Sequence, residues 1–132
     1  MLVNKGVGKE SKIISMKNLF SLDFLPNCIH NVYVRIAGKL KLQNFWNIHP
    51  EARKPLERWV LVVESAEWTN WADLKSTFRS ADLVKEGIKN FVVFNIAGNK
   101  YRLITTVNYQ GRVVIVGLAL THRQYDAGRW KG

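Results

Sequence analysis

The segment FNIAGNKYRLITTVNY, residues Phe94–Tyr109, decides the fold class, because it carries two alternating strand patterns on either side of a tight turn. The turn at Gly98-Asn99 suits the positive φ that hairpins require. A second turn at Gln110-Gly111 leads into RVVIVGLAL, which has the composition of a further strand. These three strand patterns and the two turns between them predict an antiparallel β-meander.

The sequence before this meander is mostly helical in pattern. NVYVRIAG, residues 31–38, alternates like a first strand. KLKLQNFWNIHP has apolar residues at helical spacing and stops at Pro50, and a second helix is expected to begin near Arg53. A third, short helix has Asn70 as its N-cap and ends at Phe78. One strand and two to three helices followed by a meander predict a compact α+β fold.

The chain divides into two parts of unequal character. Residues 1–33 are rich in Gly and Lys at the start and show no clear period, so we expect a poorly ordered extension or a mis-assigned start codon. Residues 34–132 are expected to form the functional domain. Most of the positive charge lies in this second part.

Composition points to a basic binding surface. Among 132 residues, 20 Lys and Arg oppose 10 Asp and Glu, for a formal charge of +10. Such a domain is a candidate for binding nucleic acid, although a solvated basic face is an equally open interpretation. The single Cys28 excludes an internal disulfide and a multi-cysteine zinc site. No apolar run approaches the roughly 20 residues of a membrane span, so no membrane partner is expected.

Two polar clusters are predicted to meet at one end of the meander. Strand alternation places Lys100 and Arg102 on one face, close to the turn. The segment THRQYD, residues 121–126, is predicted to form a loop after the last strand. Antiparallel pairing through Gln110-Gly111 puts Lys100 opposite residues 119–121, which brings His122 and Tyr125 close to the two cations.

A site of this composition suits cleavage of an RNA phosphodiester by its own 2′-hydroxyl. His122 can act as acid or base, and Arg102 can hold the phosphoryl oxygens through its forked donors. Lys100 can act electrostatically or as a base, and Tyr125 can donate a hydrogen bond or stack on a nucleobase. A histidine that only caps a strand end, beside a solvated cationic edge, is the alternative interpretation. Arg112 and Arg123 are predicted to contact RNA.

Other residue types give weaker signals. The histidines are dispersed and no acidic pair is obvious, so we predict neither a metal nor another cofactor. His49 is interpreted as a helix-end residue and Tyr101 as a core residue. Four of the five tryptophans are assigned to packing, and Trp130 is left open.

From about Val34 to Asp126 the sequence resembles the HigB toxins of bacterial type II toxin–antitoxin systems, within the RelE-like group. The matching pieces are LQNFWNIHPEA, WADLKSTFRSAD, VVFNIAGNKYRLI, VNYQGRVVIVG and THRQYD, in the family's order. Two positions depart from the pattern: Ala97 stands where a second Gly is common, and Arg79 where Pro is common. The first 33 residues have no counterpart in the family.

The resemblance implies a compact α+β toxin that cuts mRNA on the translating ribosome in the cytoplasm, without metal. It implies a helix-turn-helix, HigA-like antitoxin as partner, and contact with operator DNA only through that antitoxin. By position, it assigns Lys100, Arg102, His122 and Tyr125 to the active site. A non-catalytic RNA-binding module and a protein-interaction domain for an acidic partner are the competing hypotheses.

Overall fold

A computed structural model describes residues 32–131, and within them it places four α-helices and five strands. In chain order these are β1 (Arg35–Ala37), α1 (Lys39–Ile48), α2 (Arg53–Glu64), α3 (Trp71–Thr77), β2 (Asp82–Glu86), β3 (Lys89–Ile96), β4 (Tyr101–Asn108), β5 (Val113–Thr121) and α4 (His122–Ala127). Short 3₁₀ turns occupy Pro50–Ala52 and Arg129–Lys131. The prediction of an α+β fold is confirmed. The predicted extension, apart from its last two residues, lies outside the described part of the chain.

The strands form one sheet in the order β1-β5-β4-β3-β2. The β2-β3-β4-β5 meander is antiparallel throughout, whereas β1 runs parallel to β5. The helices that follow β1 provide the crossover that a parallel pair requires. The meander therefore presents two faces, and the first helices cover one of them.

The core lies between this sheet face and the helices. Leu42 of α1 and Leu56 of α2 are fully buried, and the Trp59 ring of α2 contacts the Phe94 ring of β3 edge-on at 5.3 Å. Phe94 also meets Phe78, which follows α3, at 5.0 Å. Burying aromatic side chains of this size supplies much of the hydrophobic free energy of a small domain.

The three helix predictions hold in detail. The first helix ends at Ile48, before Pro50, and the second begins at Arg53 as expected. Asn70 caps α3, because its side-chain oxygen accepts the backbone N–H of Asp73.

Three local features differ from the prediction. The segment Asp82–Glu86 is a strand that the sequence pattern did not reveal, because this edge strand is largely exposed and its charged residues obscure the alternation. The segment THRQYD is not a loop, because residues His122–Ala127 form a short helix. The register of the last hairpin also differs slightly, since a bulge between Ile104 and Thr105 shifts the pairing by one residue.

Candidate active site at the junction of β4 and α4

The start of β4 and the start of α4 lie side by side. Tyr101 pairs with Thr121, and the backbone N–H of His122 donates to the carbonyl of Lys100 at 2.9 Å. The predicted meeting of these two segments is therefore confirmed. Because of the bulge, Lys100 lies opposite His122 rather than opposite residues 119–121.

A capping box fixes the direction of α4. The Thr121 hydroxyl accepts the backbone N–H of Gln124 at 3.2 Å, and the Gln124 side chain accepts the backbone N–H of Thr121 at 2.9 Å. These reciprocal bonds satisfy donors that a helix start otherwise leaves free. His122 and Tyr125, three residues apart on this helix, consequently lie on neighbouring positions of one face.

Arg102 is buried, and no carboxylate within residues 32–131 pairs with its guanidinium. Only 9% of the residue is exposed, and no ion pair joins it to any carboxylate in residues 32–131. Its Nη1 donates to the carbonyls of Asn99 and Tyr101 at 3.3 and 3.1 Å, and its Nη2 donates to Asn99 Oδ1 at 2.7 Å. A desolvated cation held only by neutral acceptors attracts an anion strongly.

Tyr125 lies beside this guanidinium. The Arg102 Cζ atom is 5.6 Å from the centre of the Tyr125 ring, in cation–π contact. Burial, and secondarily the negative charges of Asp82 and Asp126, raise the pKa of the Tyr125 hydroxyl, although the charge of Arg102 acts in the opposite direction. The hydroxyl therefore keeps its proton at neutral pH and serves as a donor rather than as a base.

His122 is paired with Asp126 one helical turn later. Its Nε2 atom lies 3.0 Å from Asp126 Oδ2, while its Nδ1 atom is buried and has no hydrogen-bond partner within the described residues. When Nε2–H of the neutral ring donates to Asp126, Nδ1 is left with a free lone pair. The pair thus favours the tautomer that carries its proton on Nε2.

The Lys100 side chain, predicted to belong to this cluster, approaches a carboxylate from a distant part of the chain. Its amine lies 3.9 Å from Glu51 Oε1, which also accepts a hydrogen bond from the Tyr101 hydroxyl at 3.4 Å. Lys100 belongs to the turn rather than to β4, so strand alternation does not govern its direction. Tyr101 itself packs against Phe45 and His49, and burial followed by the charge of Glu51 raises the pKa of its hydroxyl.

The two arginines predicted to bind RNA lie apart from one another. Arg112 is in the turn at the opposite end of the β4–β5 hairpin, roughly 24 Å away for an eight-residue strand. Arg123 is exposed on α4, next to His122. Only Arg123 is therefore near the cluster.

Sequence reasoning missed three residues that shape the site. Asn99 was interpreted only as a turn residue, yet it holds the Arg102 guanidinium. Asp126 was noted without a role, and its spacing of four from His122 becomes informative only once the segment is recognised as a helix. Glu51 comes from a distant part of the chain, and no local pattern connects it with Lys100.

Two negative findings apply to residues 32–131. No group of three His, Cys, Asp or Glu side chains in this range could hold a metal ion. No helix in the same range is long and apolar enough to cross a membrane.

Comparison with known proteins identifies the family. Residues 52–128, more than half of the chain, match the family model described as HigB_toxin, the RelE-like toxic component of a toxin–antitoxin system. The comparison with curated proteins gave no match. The matched range includes the buried Arg102 and all of α4. The chain belongs to the HigB toxin family, the RelE-like toxic components of toxin–antitoxin systems.

Proposed function

We propose that this toxin is a ribosome-dependent mRNA endoribonuclease that stops translation by metal-independent attack of a 2′-hydroxyl on the adjacent phosphodiester. The observation that carries the proposal is Arg102, a residue that is only 9% exposed and whose guanidinium lacks a carboxylate partner in the described chain. A phosphate group supplies the missing negative charge, and the charge that develops on phosphorus in the transition state supplies more of it.

The guanidinium has donors left for this task. Three of its hydrogen bonds go to Asn99 and Tyr101 through Nη1 and Nη2. An arginine carries five N–H donors, so the Nε–H and one N–H of Nη2 stay available to phosphoryl oxygens. The neutral acceptors orient the group without cancelling its charge.

His122 and Tyr125 supply the proton transfers in this proposal. The His122 imidazole takes the proton of the 2′-hydroxyl, whose oxygen then attacks phosphorus while the bond to the 5′ oxygen breaks. The protonated Tyr125 hydroxyl donates to the departing 5′ oxygen. The products are a 2′,3′-cyclic phosphate and a 5′-hydroxyl. Asp126 acts as a positioning residue, because it sets the tautomer of His122. Lys100, whose amine lies 3.9 Å from Glu51 in the free protein, contributes positive potential.

The family implies an antitoxin partner. We propose that it is a helix-turn-helix, HigA-like protein, that operator DNA is contacted only through it, and that the toxin acts in the cytoplasm. We assign the toxin activity to residues 34–132.

The test is inducible expression in bacteria, with growth, translation and the 5′ ends of ribosome-bound mRNA as readouts. His122→Gln and Arg102→Met are expected to abolish arrest and cleavage, whereas His49→Gln, at a histidine outside the cluster, retains both. The fragments should carry 2′,3′-cyclic phosphate and 5′-hydroxyl ends. Fragments with 5′-phosphate ends, or full cleavage by His122→Gln, would contradict the mechanism. Arrest without any cleaved mRNA would favour a non-catalytic RNA-binding module.

A further inference from the structure

An aromatic stack continues the candidate site beyond α4. The 3₁₀ turn Arg129–Lys131 places the Trp130 ring against the Tyr125 ring, with centres 5.3 Å apart and planes inclined by 15°. The Trp130 indole N–H donates to the Tyr125 carbonyl at 3.2 Å, and the Phe91 ring meets the indole edge-on at 5.9 Å. The orientation of Trp130 is therefore set by contacts on more than one side.

A cation lies at each end of this stack. Arg102 is 5.6 Å from the centre of the Tyr125 ring, and the Lys131 amine is 5.7 Å from the centre of the Trp130 ring. We call Arg102, Tyr125, Trp130 and Lys131 the stacking ladder. Both rings are half-buried, so each keeps an accessible part. Parallel aromatic surfaces flanked by cations are what proteins use to hold the bases and phosphates of single-stranded RNA.

The two ends of the ladder differ in how many contacts hold them. The Arg102 guanidinium is fixed by Asn99. The Lys131 side chain is 49% exposed, and its amine lies 3.9 Å from a Glu86 carboxylate oxygen. An ammonium group on such a flexible stem can leave the indole face and follow a phosphate at little cost, because an exposed ion pair of this length stabilises by less than about 1 kcal/mol.

We propose that Trp130 and Lys131 form a second nucleotide subsite for single-stranded RNA, which binds the nucleotide next to the one at the scissile phosphate. The base stacks on the indole face that Lys131 covers in the free protein, and the displaced amine contacts the phosphate of that nucleotide. This subsite rests on the proposed function for its placement beside a scissile bond. It lies outside the family match, which ends at residue 128, so the family comparison does not assign it.

The test measures RNA binding apart from cleavage. The full chain carries His122→Gln, and its affinity for a labelled five-nucleotide single-stranded RNA is measured by fluorescence anisotropy. The RNA is then made abasic at one position at a time. Stacking of one base on an aromatic side chain changes affinity by roughly fivefold to 100-fold. One abasic position is therefore expected to weaken binding at least fivefold.

Variants of Trp130 show whether that base rests on the indole. Trp130→Leu, which keeps an apolar side chain, should weaken binding of unmodified RNA by about fivefold or more. It should also remove the penalty of the abasic position, whereas Trp130→Phe should keep most of that penalty. The matched control is Trp46→Leu, because Trp46 also lies under a cation, Arg53 at 5.7 Å, but belongs to α1. Thermal unfolding of each variant monitors folding.

Each outcome decides the matter. An abasic penalty that persists unchanged in Trp130→Leu, equal losses in Trp130→Leu and Trp46→Leu, or no measurable RNA binding by the parent overturns the subsite. Cleavage by the unmodified toxin is scored separately. If the unmodified toxin does not cleave mRNA, but the His122→Gln chain shows an abasic penalty that depends on Trp130, the subsite stands and the nuclease proposal fails. If the unmodified toxin cleaves mRNA and the His122→Gln chain shows no such penalty, the nuclease proposal stands and the subsite fails.

Discussion

Changing Asn99 to Asp gives a prediction in which stability and activity move in opposite directions. Asn99 Oδ1 accepts a hydrogen bond from Arg102 Nη2 at 2.7 Å, and the guanidinium has no carboxylate partner in the described chain. An aspartate at this position keeps the same acceptor geometry and adds the missing counter-ion. The free protein should become more stable, while the site loses the unbalanced positive charge that attracts phosphate.

The size of the stability effect can be worked out from two comparisons. Hydrogen bonds to charged groups contribute about 1.5–3 kcal/mol, and partial exposure of this contact favours the lower value. Asn99→Ala should therefore lower the free energy of unfolding by about 1.5 kcal/mol, or Tm by about 6 °C at this domain size. Asn99→Asp gains an ion pair but also desolvates the new carboxylate. The free energy of unfolding should therefore rise by about 1 kcal/mol, and Tm by about 4 °C.

The effect on activity should have the opposite sign. Removing one donor that stabilises a developing negative charge costs about 100- to 1000-fold in rate in enzymes that depend on such donors. Partial neutralisation of Arg102 by Asn99→Asp should cost at least tenfold in mRNA cleavage, which is measured by primer extension on ribosome-bound message. Thermal unfolding of the same preparation gives Tm.

The chain offers a matched control in the next hairpin. Asn108 Oδ1 accepts the backbone N–H of Gly111 at 2.8 Å and has no cation among its hydrogen-bond partners. Asn108→Asp changes the net charge by the same amount in another turn, so it should leave both Tm and cleavage nearly unchanged. If Asn99→Asp and Asn108→Asp give the same Tm and the same cleavage, Arg102 does not act as an uncompensated cation and the reasoning is refuted.

Two further predictions concern the stability of the fold. Thr105 is 1% exposed and its hydroxyl donates to the Val92 carbonyl at 2.9 Å. Thr105→Val, which keeps the volume and removes the donor, should lower the free energy of unfolding by about 1 kcal/mol; a variant as stable as the parent in chemical denaturation would contradict it. The Asp73 carboxylate accepts the backbone N–H and the hydroxyl of Thr69, which lower its pKa below 3.8. The stabilisation that the Asp73 carboxylate contributes is complete above pH 3.8 and is lost as the pH falls through the lower pKa of the folded state. The stability difference between the parent and Asp73→Asn should therefore shrink in acid unfolding curves.

The β-meander was predictable because its signals are local. Alternation in β3 and β4 and the Gly98 turn specify strand, turn and strand within one short segment. In the structure the positive φ angles of that turn fall on Ala97 and Gly98 rather than on Gly98 and Asn99. Asn99 therefore does not adopt the left-handed conformation, and its side-chain oxygen accepts a hydrogen bond from Arg102.

The predictions failed in two segments where the local sequence signal for secondary structure is weak or very short. The edge strand Asp82–Glu86 buries little, so its sequence lacks a clear apolar face. The helix that begins at His122 contains only six residues, too few for an apolar period, and its only signature is the Thr121–Gln124 capping box. Recognition of that box would have revealed the His122–Asp126 pair as well, since both depend on helical spacing.

Backbone register and side-chain direction differ in how far a sequence constrains them. Pairing of β4 with β5 brings Lys100 beside His122 whatever their side chains do, which is why their meeting could be predicted. The direction of the Lys100 amine depends on Glu51, whose position is set by the packing of two helices on the sheet. A charge that arrives from a distant element has no signature in the local sequence.

The burial of Arg102 links the fold to the proposed chemistry. A sheet selected only for stability would place an apolar side chain there, since replacing a buried charge with a well-packed apolar group is often neutral or stabilising. The chain instead holds this cation with Asn99 and a Tyr101 carbonyl and covers it with the Tyr125 ring. These contacts orient the guanidinium but leave its charge uncompensated within the described residues. A buried cation that is oriented by neutral acceptors attracts an anionic ligand, because the anion supplies the negative charge that these acceptors lack.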